Sequence, residues 1–434
     1  MSRWVPILDE PLREKAMSVA LDVFARYRNP ETIALQAERA KAQSHLPKNW
    51  QWVPYSLSFG DAGIALALGY VHRVLPSGGW DETAHQYLAR ATTNVPASMP
   101  IGLLVGLGGL VHSANYLSMG GQRYKEARQV LTRMLDTRLK HALPDAPVDN
   151  GLEETEYDVV SGLAGVGRCL LGHHGLNPNK AVSALSWLNG RVGDAGPFGF
   201  RTSANADGRA TQSPSARGDG SSVPYINLGL AHGPPGVLAV LALSRGFSAP
   251  SSCSRHVLSL AEWLVERSYV RELGPRWPTR VYDDGTYSPS AREGWCYGIP
   301  GVANAIFLAG RALGDQRLMD FAVDTLLTLR ERSLDEMRLT SPTFCHGLSG
   351  LLQVVARLAV DTRDERLRGY AQSIAEGVLA HYDGDSTLGF RDEEMPGVEV
   401  DSPGLLTGAI GAALPLLSVA SHIPPGWDSA FLLS

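Results

Sequence analysis

The sequence predicts an all-α protein in which seven inner helices and seven outer helices form a closed double ring, an α/α toroid. Three observations predict this fold. A Gly-x-x-Gly element occurs seven times, each element opens an apolar run free of charged residues, and amphipathic segments separate those runs. A helix that is apolar on every side is buried, whereas an amphipathic helix covers it from solvent. Seven such alternations close most simply into a ring, and the lack of a useful stretch with period two predicts few strands.

The inner helices are predicted to begin at the glycine pairs, which recur along the whole chain. The pairs are Gly60/Gly63, Gly106/Gly109, Gly162/Gly165, Gly233/Gly236, Gly298/Gly301, Gly347/Gly350 and Gly408/Gly411. Where inner helices begin at one rim of a ring, backbones crowd together, and glycine permits both close approach and positive φ. We therefore expect these glycines to serve packing, and the residues that precede them to face the centre of the ring.

The outer helices are predicted in the segments between the apolar runs. In residues 122–142, hydrophobic residues recur at helical spacing among charged ones, as expected for an amphipathic helix. Similar segments lie near residues 10–43, 80–93, 179–191, 253–273, 316–335 and 365–382. Each of them is expected to cover one inner helix.

The chain is predicted to form a single toroid domain over residues 1–434. A polar stretch rich in Gly, Ser and Ala, residues 197–222, lengthens the connection between the third and fourth glycine pairs. Such composition buries little apolar surface, so we expect a mobile loop there.

Composition limits the function and the compartment. Of 434 residues, 44% are apolar and 19% are charged, which is low against an ordinary level of about 25%. The net charge of −5, with no basic block, argues against nucleic acid as a partner. No signal peptide is visible, and the longest uncharged stretches fall short of the ~20 residues that a membrane span needs. Four cysteines without a CxxC pair form no disulfide framework, so we expect a cytoplasmic protein.

Three glycine pairs are preceded by residues that can bind a metal or transfer protons. Cys296 precedes the fifth pair, Cys345 and His346 precede the sixth, and His232 precedes the fourth. Two thiols and one imidazole suit Zn²⁺, and three protein ligands leave one coordination position open, as in catalytic zinc sites. The alternative is that both thiols are small hydrophobic residues of the core.

His232 and Asp158 are candidates for proton transfer at the same rim. An imidazole can exchange protons near neutral pH, although a histidine in an apolar stretch is more often a hydrogen-bonded core residue. Asp158 lies four residues before Gly162, where it can orient a base, accept a proton or cap the following helix. The sequence leaves these alternatives open.

Four segments around these residues resemble the signature segments of the lanthionine synthetase C-like cyclases. They are residues 157–165 (YDVVSGLAG), 227–236 (NLGLAHGPPG), 295–301 (WCYGIPG) and 344–350 (FCHGLSG). The seven glycine-led repeats are similar to the α/α toroid of that family, so the resemblance covers essentially the whole chain. Within the family, the chain resembles the stand-alone cyclases of class I lanthipeptide pathways, because we expect its length to leave no room for a fused dehydratase domain. One departure is the pair Pro234-Pro235, which is expected to stiffen the start of the fourth inner helix.

The resemblance implies a set of site residues and a reaction. It implies zinc ligands at Cys296, Cys345 and His346, and active-site residues at His232, Asp158, Arg292 and Tyr297. The implied reaction is intramolecular Michael addition, in which a cysteine thiol of a dehydrated precursor peptide attacks dehydroalanine or dehydrobutyrine to form lanthionine or methyllanthionine. The implied partners are that peptide, a dehydratase and a transporter, with membrane association only through partners.

Two other functions use the same residues. A glutathione-binding or glutathione-adding relative would apply the same zinc–thiolate chemistry between molecules, and a peptide-binding scaffold would hold a structural zinc without catalysis. Glycosidases and prenyltransferases also adopt α/α toroids, so fold alone does not decide function. A glycosidase needs two opposed carboxylates, and Asp158 is the one clear acidic residue at the predicted rim.

Overall fold

The computed structural model describes residues 4–46, 52–93, 95–143, 152–171, 178–192, 196–202, 223–246, 253–289 and 292–434. In these ranges the chain forms a double ring of helices. Each inner helix contacts the next inner helix, and the seventh contacts the first, so the ring is closed. The predicted all-α toroid is confirmed.

Every one of the seven glycine pairs begins an inner helix, and the first glycine of each pair is its N-cap residue. The inner helices are α3 (Asp61–Val74), α5 (Leu107–Leu117), α8 (Leu163–Leu170), α10 (Pro234–Leu243), α12 (Ile299–Leu313), α15 (Leu348–Thr362) and α17 (Ala409–Ala420). Helix α10 begins with Pro234 and Pro235. Both are tolerated there, because the N–H groups of a first turn have no partner within the helix.

Seven outer helices cover the inner ring. They are α1 (Glu10–Ala25), α4 (Trp80–Thr92), α6 (Lys125–Ala142), α9 (Pro178–Arg191), α11 (Cys253–Glu266), α13 (Gln316–Leu327) and α16 (Glu365–Ala380). Six of them pack on the inner helix that immediately precedes them in the chain. Helix α1 packs instead on α17, so the first outer helix and the last inner helix close the ring.

Three amphipathic segments are more broken than the sequence predicts. Segment 10–43 forms α1 and a separate helix, α2 (Pro30–Gln43), because Asn29 caps a new helix that begins with proline. After α11 the chain turns into a strand, so residues 269–271 of the segment near 253–273 are not helical. Residues 328–337 continue α13 as a 3₁₀ turn and the short α14 (Leu334–Met337).

Strands are few in the described ranges, as predicted. They form three antiparallel pairs: β1 (Tyr225–Asn227) with β4 (Arg280–Tyr282), β2 (Tyr269–Arg271) with β3 (Gly274–Arg276), and β5 (Asp392–Met395) with β6 (Val398–Val400). The one further α-helix in these ranges is α7 (Glu154–Tyr157), which lies before α8, and 3₁₀ turns lie at Pro76–Gly78, Ser244–Gly246 and Gly426–Phe431. None of the described helices is both long and apolar enough to cross a membrane.

The second glycine of each pair is required by close approach of the backbone. A Cβ atom there would lie 2.0–2.4 Å from a carbonyl oxygen, that of the residue three positions before the first glycine. No real Cβ atom tolerates such a contact. The expectation of positive φ is wrong for thirteen of these glycines and holds only at Gly298, where φ is +92° and a Cβ atom would lie 2.5 Å from Glu293 Oε2.

The loops that precede the inner helices are joined by a closed circle of backbone hydrogen bonds. In each loop, an N–H group two or three residues before the first glycine donates to a carbonyl oxygen of the next loop, at 2.8–3.2 Å. The donor and acceptor pairs are Ser58–Leu104, Leu104–Val160, Val159–Ala231, Ala231–Cys296, Cys296–Cys345, Cys345–Leu406 and Leu406–Ser58. We call this end of the double ring the rim.

The centre of the ring is filled by the segment 421–434. Trp427 and Phe431 are buried there, and they pack on the Trp295 and Phe344 rings that precede the two rim cysteines. Asp428 is fully buried and accepts hydrogen bonds at 2.5–2.9 Å, among them both contacts from the Arg357 guanidinium. The inner ring is therefore a packed core, and the rim residues lie on a solid base.

Most of the predicted mobile loop, residues 203–222, lies outside the described residues. Its first residues are described: Phe198–Phe200 form a 3₁₀ turn, and Thr202 pairs with Tyr225. The interpretation of residues 1–434 as a single domain remains a prediction.

The close contact at the second glycine predicts a large effect of a single methyl group. Gly63→Ala places a Cβ atom 2.0 Å from the Leu57 carbonyl oxygen, so the loop and α3 must separate. We expect the free energy of unfolding to fall by about 1–3 kcal/mol, the usual cost of overpacking a core. Urea denaturation measures it.

The matched control is Gly369→Ala in the middle of the outer helix α16. A Cβ atom there meets nothing within 4 Å. Because alanine is the better helix former, we expect this variant to gain roughly 0.5–1 kcal/mol. Equal effects of the two substitutions would contradict the role assigned to the glycine pairs.

Candidate metal centre and active site

The closed circle of hydrogen bonds places equivalent residues of neighbouring loops side by side. Cys296 and Cys345 both lie two residues before a first glycine, and the Cys296 N–H donates to the Cys345 carbonyl oxygen at 3.1 Å. His232, Tyr297 and His346 all lie one residue before a first glycine. The residues three positions before it are buried in all seven repeats. At the next two positions the side chains are partly exposed in the loops of Cys296 and Cys345, whereas Ser58, Leu104 and Ala231 are buried two positions before their first glycines.

The three predicted metal ligands converge. Cys296, Cys345 and His346 each offer one ligand atom, and these atoms all lie within 4.8 Å of one another. All three residues are partly exposed, so the group is accessible from the rim. Among the described residues, this is the one group of His, Cys, Asp and Glu side chains with such spacing.

The two rim thiols differ in pKa, with Cys296 the more acidic. A hydrogen bond between them lowers the pKa of Cys296 to about 6, assisted by the nearby imidazoles of His346 and His232, although burial opposes the shift. The same hydrogen bond raises the pKa of Cys345 well above its ordinary value, as do burial and the charges of Cys296 and Asp392. One thiolate therefore forms readily near neutral pH, and this is the form that binds metals.

The remaining two cysteines have no such environment. Cys169 is fully buried, its Sγ lies 3.2 Å from the Gly108 carbonyl oxygen, and burial raises its pKa to about 12. Cys253 is also buried, and burial raises its pKa. These thiols pack as small hydrophobic side chains, which is the role that the alternative interpretation gave to the rim pair.

His232 and Asp158 form a hydrogen-bonded pair beside the metal ligands. His232 Nδ1 lies 2.7 Å from Asp158 Oδ2, and the imidazole is 35% exposed whereas the carboxylate is buried. Burial lowers the pKa of His232. The hydrogen bond to Asp158 and the charges of Asp158, Glu154 and Cys296 raise it by a larger amount, so the net shift is upward. His232 is thus not a core residue.

Asp158 shapes the turn before α8 and contacts His232, but it does not cap that helix, whose N-cap residue is Gly162 without a side-chain cap. Its Oδ1 accepts hydrogen bonds from the N–H groups of Ser161 and Gly162, at 2.6 and 2.8 Å, and so fixes the turn before α8. Its Oδ2 is left for His232. The carboxylate therefore shapes the backbone through one oxygen atom and holds the imidazole through the other.

Tyr297 is held by a short hydrogen-bonded chain. The Asn227 amide nitrogen donates to the Tyr297 hydroxyl oxygen at 3.0 Å and to Glu154 Oε1 at 2.7 Å, while Asn227 Oδ1 accepts the Gly229 N–H. The amide orientation is thereby fixed. Tyr297 accepts from Asn227 and keeps its own proton for donation. Burial and the charge of Glu154 raise the pKa of Tyr297, so the phenol stays protonated.

Arg292 is the least central of the predicted site residues. Its guanidinium donates to the Glu394 carbonyl oxygen on strand β5, at 3.0 Å. The pKa of Cys345 is raised, chiefly by its hydrogen bond with Cys296, and the positive charge of Arg292 opposes that shift. The structure therefore brings together six of the seven predicted residues and places Arg292 at the edge of the group.

Sequence reasoning missed two carboxylates beside the site. Asp392 Oδ1 lies 3.7 Å from His346 Nε2, and Glu154 holds Asn227. Neither lies directly before a glycine pair, since Asp392 begins a hairpin and Glu154 begins α7. For Glu154 the sequence holds one signal. Asn227 lies within a signature segment, and a buried amide there needs a polar partner.

Comparison with known proteins identifies the family. The sequence pattern of lanthionine synthetase C-like proteins matches residues 51–432, which is most of the chain. The chain belongs to the lanthionine synthetase C-like family. The predicted family and the predicted enzyme class, a lanthionine synthetase, are thereby confirmed.

Two relatives agree with this assignment. The nisin biosynthesis protein NisC of Lactococcus lactis subsp. lactis is 23% identical over 384 residues, which cover 84% of this chain and 88% of that protein. The solved structure of nisin cyclase superposes with a TM-score of 0.74 at 20% identity, and covers 93% of this chain and 98% of that chain. This superposition shows that the two chains share a fold.

The different pKa values of the cysteines predict the order in which an alkylating reagent labels them in this lanthionine synthetase C-like protein. After treatment with a chelator, iodoacetamide near neutral pH is expected to label the Cys296/Cys345 pair first, because only a thiolate reacts. Labelling should slow as the pH falls below about 6, where Cys296 becomes protonated. Peptide mass spectrometry measures the rates.

Cys169 serves as the internal control for this measurement. Its raised pKa and complete burial should leave it unlabelled until the protein is unfolded. Labelling of Cys169 in the folded protein at the rate of the rim pair would contradict the proposed difference.

Proposed function

We propose that this protein is a zinc-dependent lanthipeptide cyclase. It joins a cysteine thiol of a dehydrated precursor peptide to a dehydroalanine or dehydrobutyrine of the same peptide, forming lanthionine or methyllanthionine. The observation that carries the proposal is the convergence of Cys296, Cys345 and His346 beside the His232–Asp158 pair, on one rim of a family toroid. The relatives NisC and nisin cyclase support it by their names.

The donor set fits zinc. Two thiols and one imidazole are ligands that Zn²⁺ prefers, and a set of three leaves a position for a further ligand. Among the described residues, the buried His346 Nε2 has no hydrogen-bond partner, so no hydrogen bond at that atom holds the imidazole away from a metal. Zinc bound by these residues would keep a substrate thiol deprotonated and hence nucleophilic.

His232 is the proposed proton donor. When the thiolate adds to the β-carbon, the π electrons of the double bond move to the adjacent carbonyl, and the α-carbon then takes a proton. The raised pKa of His232 increases the imidazolium fraction near neutral pH, and its partly exposed ring can reach a bound peptide. Asp158 orients the ring through Nδ1, so that Nε2 carries the proton that is transferred.

Tyr297 and Arg292 are the proposed stabilisers of the developing negative charge. Tyr297 receives its hydrogen bond from Asn227, so its hydroxyl is arranged to donate to the enolate oxygen. Arg292 supplies a positive charge at the edge of the thiol pair. Donors fixed before the reaction need no reorganisation when the charge appears.

Removal of one ligand tests the proposed zinc site. Purified wild-type protein is expected to carry about one zinc per chain, and Cys296→Ala or Cys345→Ala to lose it, because two remaining ligands hold zinc poorly. Elemental analysis measures the stoichiometry. Cys169→Ala is the control, since its thiol lies in the core away from the rim. Full zinc content in both rim variants would refute the site.

The reaction itself is tested with a dehydrated, cysteine-containing peptide in the presence of glutathione. Cyclisation removes one alkylatable thiol for each ring at unchanged mass. A mass increase by glutathione supports the glutathione-adding function instead, and no change of thiol or mass supports a binding scaffold.

His232→Ala is expected to slow this cyclisation by about 10²–10⁴-fold, the usual contribution of a general acid. Its zinc content and melting temperature should not change, because His232 is outside the ligand set. The exposed His422→Ala is the control and should react as the wild type does. Unchanged turnover in His232→Ala would exclude this residue as the proton donor.

A further inference from the structure

One nitrogen of His346 is buried without a hydrogen-bond partner. Among the described residues, no donor or acceptor bonds to Nε2, although the atom is inaccessible to solvent. A buried polar atom left unpaired costs free energy, so a partner is expected in the functional state. The Asp392 carboxylate, 3.7 Å away at Oδ1, is the acidic group that faces it.

Asp392 is itself incompletely compensated. Its side chain is 4% exposed, and Oδ1 accepts hydrogen bonds from the Ser341 and Thr343 hydroxyls at 2.8 and 3.2 Å. In the described part of the chain, no lysine or arginine nitrogen lies within ion-pair distance of this carboxylate. A buried carboxylate held only by hydroxyl groups favours a further N–H donor.

The side-chain hydrogen bonds of Asp392 both go to the segment that leads into the proposed metal ligands. Ser341 and Thr343 stand in the segment before Cys345 and His346, whereas Asp392 is the first residue of strand β5. The β5–β6 hairpin is anchored elsewhere, since Glu394 Oε1 accepts from the Ser44 hydroxyl at 2.7 Å and the Glu394 carbonyl accepts from Arg292. The hairpin therefore brings a fixed carboxylate to a loop of another repeat.

We propose that Asp392 is a positioning residue for the metal site. Its carboxylate accepts the Nε2–H of His346, so that Nδ1 is the nitrogen that binds the metal. The inference rests on the proposed zinc site. Binding at Nδ1 fixes the tautomer with hydrogen on Nε2. The nitrogen and the carboxylate oxygen then need to approach by about 0.8 Å to reach an ordinary N–H···O distance. A carboxylate in this place orients the ring and makes the imidazole a stronger ligand.

The test is the zinc affinity of Asp392→Asn, measured by competition with a chromophoric chelator. Asparagine keeps an oxygen for the two hydroxyls and removes the negative charge. We expect zinc affinity to fall about 10–100-fold, as is usual for such partners, at an unchanged melting temperature. Glu399→Gln is the matched control, because it removes a charge from the same hairpin at a side chain that is 60% exposed. Its affinity should equal that of the wild type.

A second measurement needs no variant. In a long-range ¹H–¹⁵N spectrum of zinc-loaded, histidine-labelled protein, the histidine that responds to zinc should carry its proton on Nε2 and bind through Nδ1. Binding through Nε2 would overturn the inference, as would a folded Asp392→Asn protein with wild-type affinity. Failure of the wild type to bind zinc would overturn the proposed function and this inference with it, whereas the other two outcomes leave the zinc site intact.

Discussion

The structure depends on one circle of backbone hydrogen bonds that joins the seven loops before the inner helices. These bonds need neighbouring loops to approach within hydrogen-bonding distance, and each helix to start directly beneath its own loop. A carbonyl oxygen then occupies the place of a Cβ atom at the second glycine of every pair. The glycines are therefore a consequence of the circle, and they repeat because the circle has seven members.

The circle also decides which side chains reach the rim. The residue three positions before each first glycine is buried in every loop, whereas Cys296, Cys345 and His346 are partly exposed at the next two positions. Two of the seven loops use these positions for Cys296 and for Cys345 with His346, and those loops are adjacent and hydrogen-bonded. Rigid placement of this kind is what a metal site needs, since ligands must be held before the metal arrives. Trp295 and Phe344, packed on Phe431, supply the support from below.

Two carboxylates, the buried Asp158 and the partly buried Glu154, organise the rim electrostatically. One oxygen of Asp158 accepts hydrogen bonds from backbone N–H groups, and the other contacts His232. Glu154 accepts a hydrogen bond from the Asn227 amide, which also contacts Tyr297. Each carboxylate is fixed by neutral donors, so its negative charge remains available to the neighbouring ring. The upward shift of the His232 pKa is one result.

The sequence by itself determined the ring, its seven glycine pairs and the rim positions of the two cysteines and the histidines, because a repeated backbone constraint leaves a repeated residue pattern. It also determined the family, since Cys296-Tyr297-Gly298 and Cys345-His346-Gly347 are unusual segments. It could not place Asp392 or Glu154, which come from a hairpin and a short helix outside the repeat. Only the tertiary structure decided that the seventh inner helix is covered by α1 and that Asp158 contacts both the turn before α8 and His232. The physical reason is that such contacts join residues far apart in the chain, and no local periodicity records them.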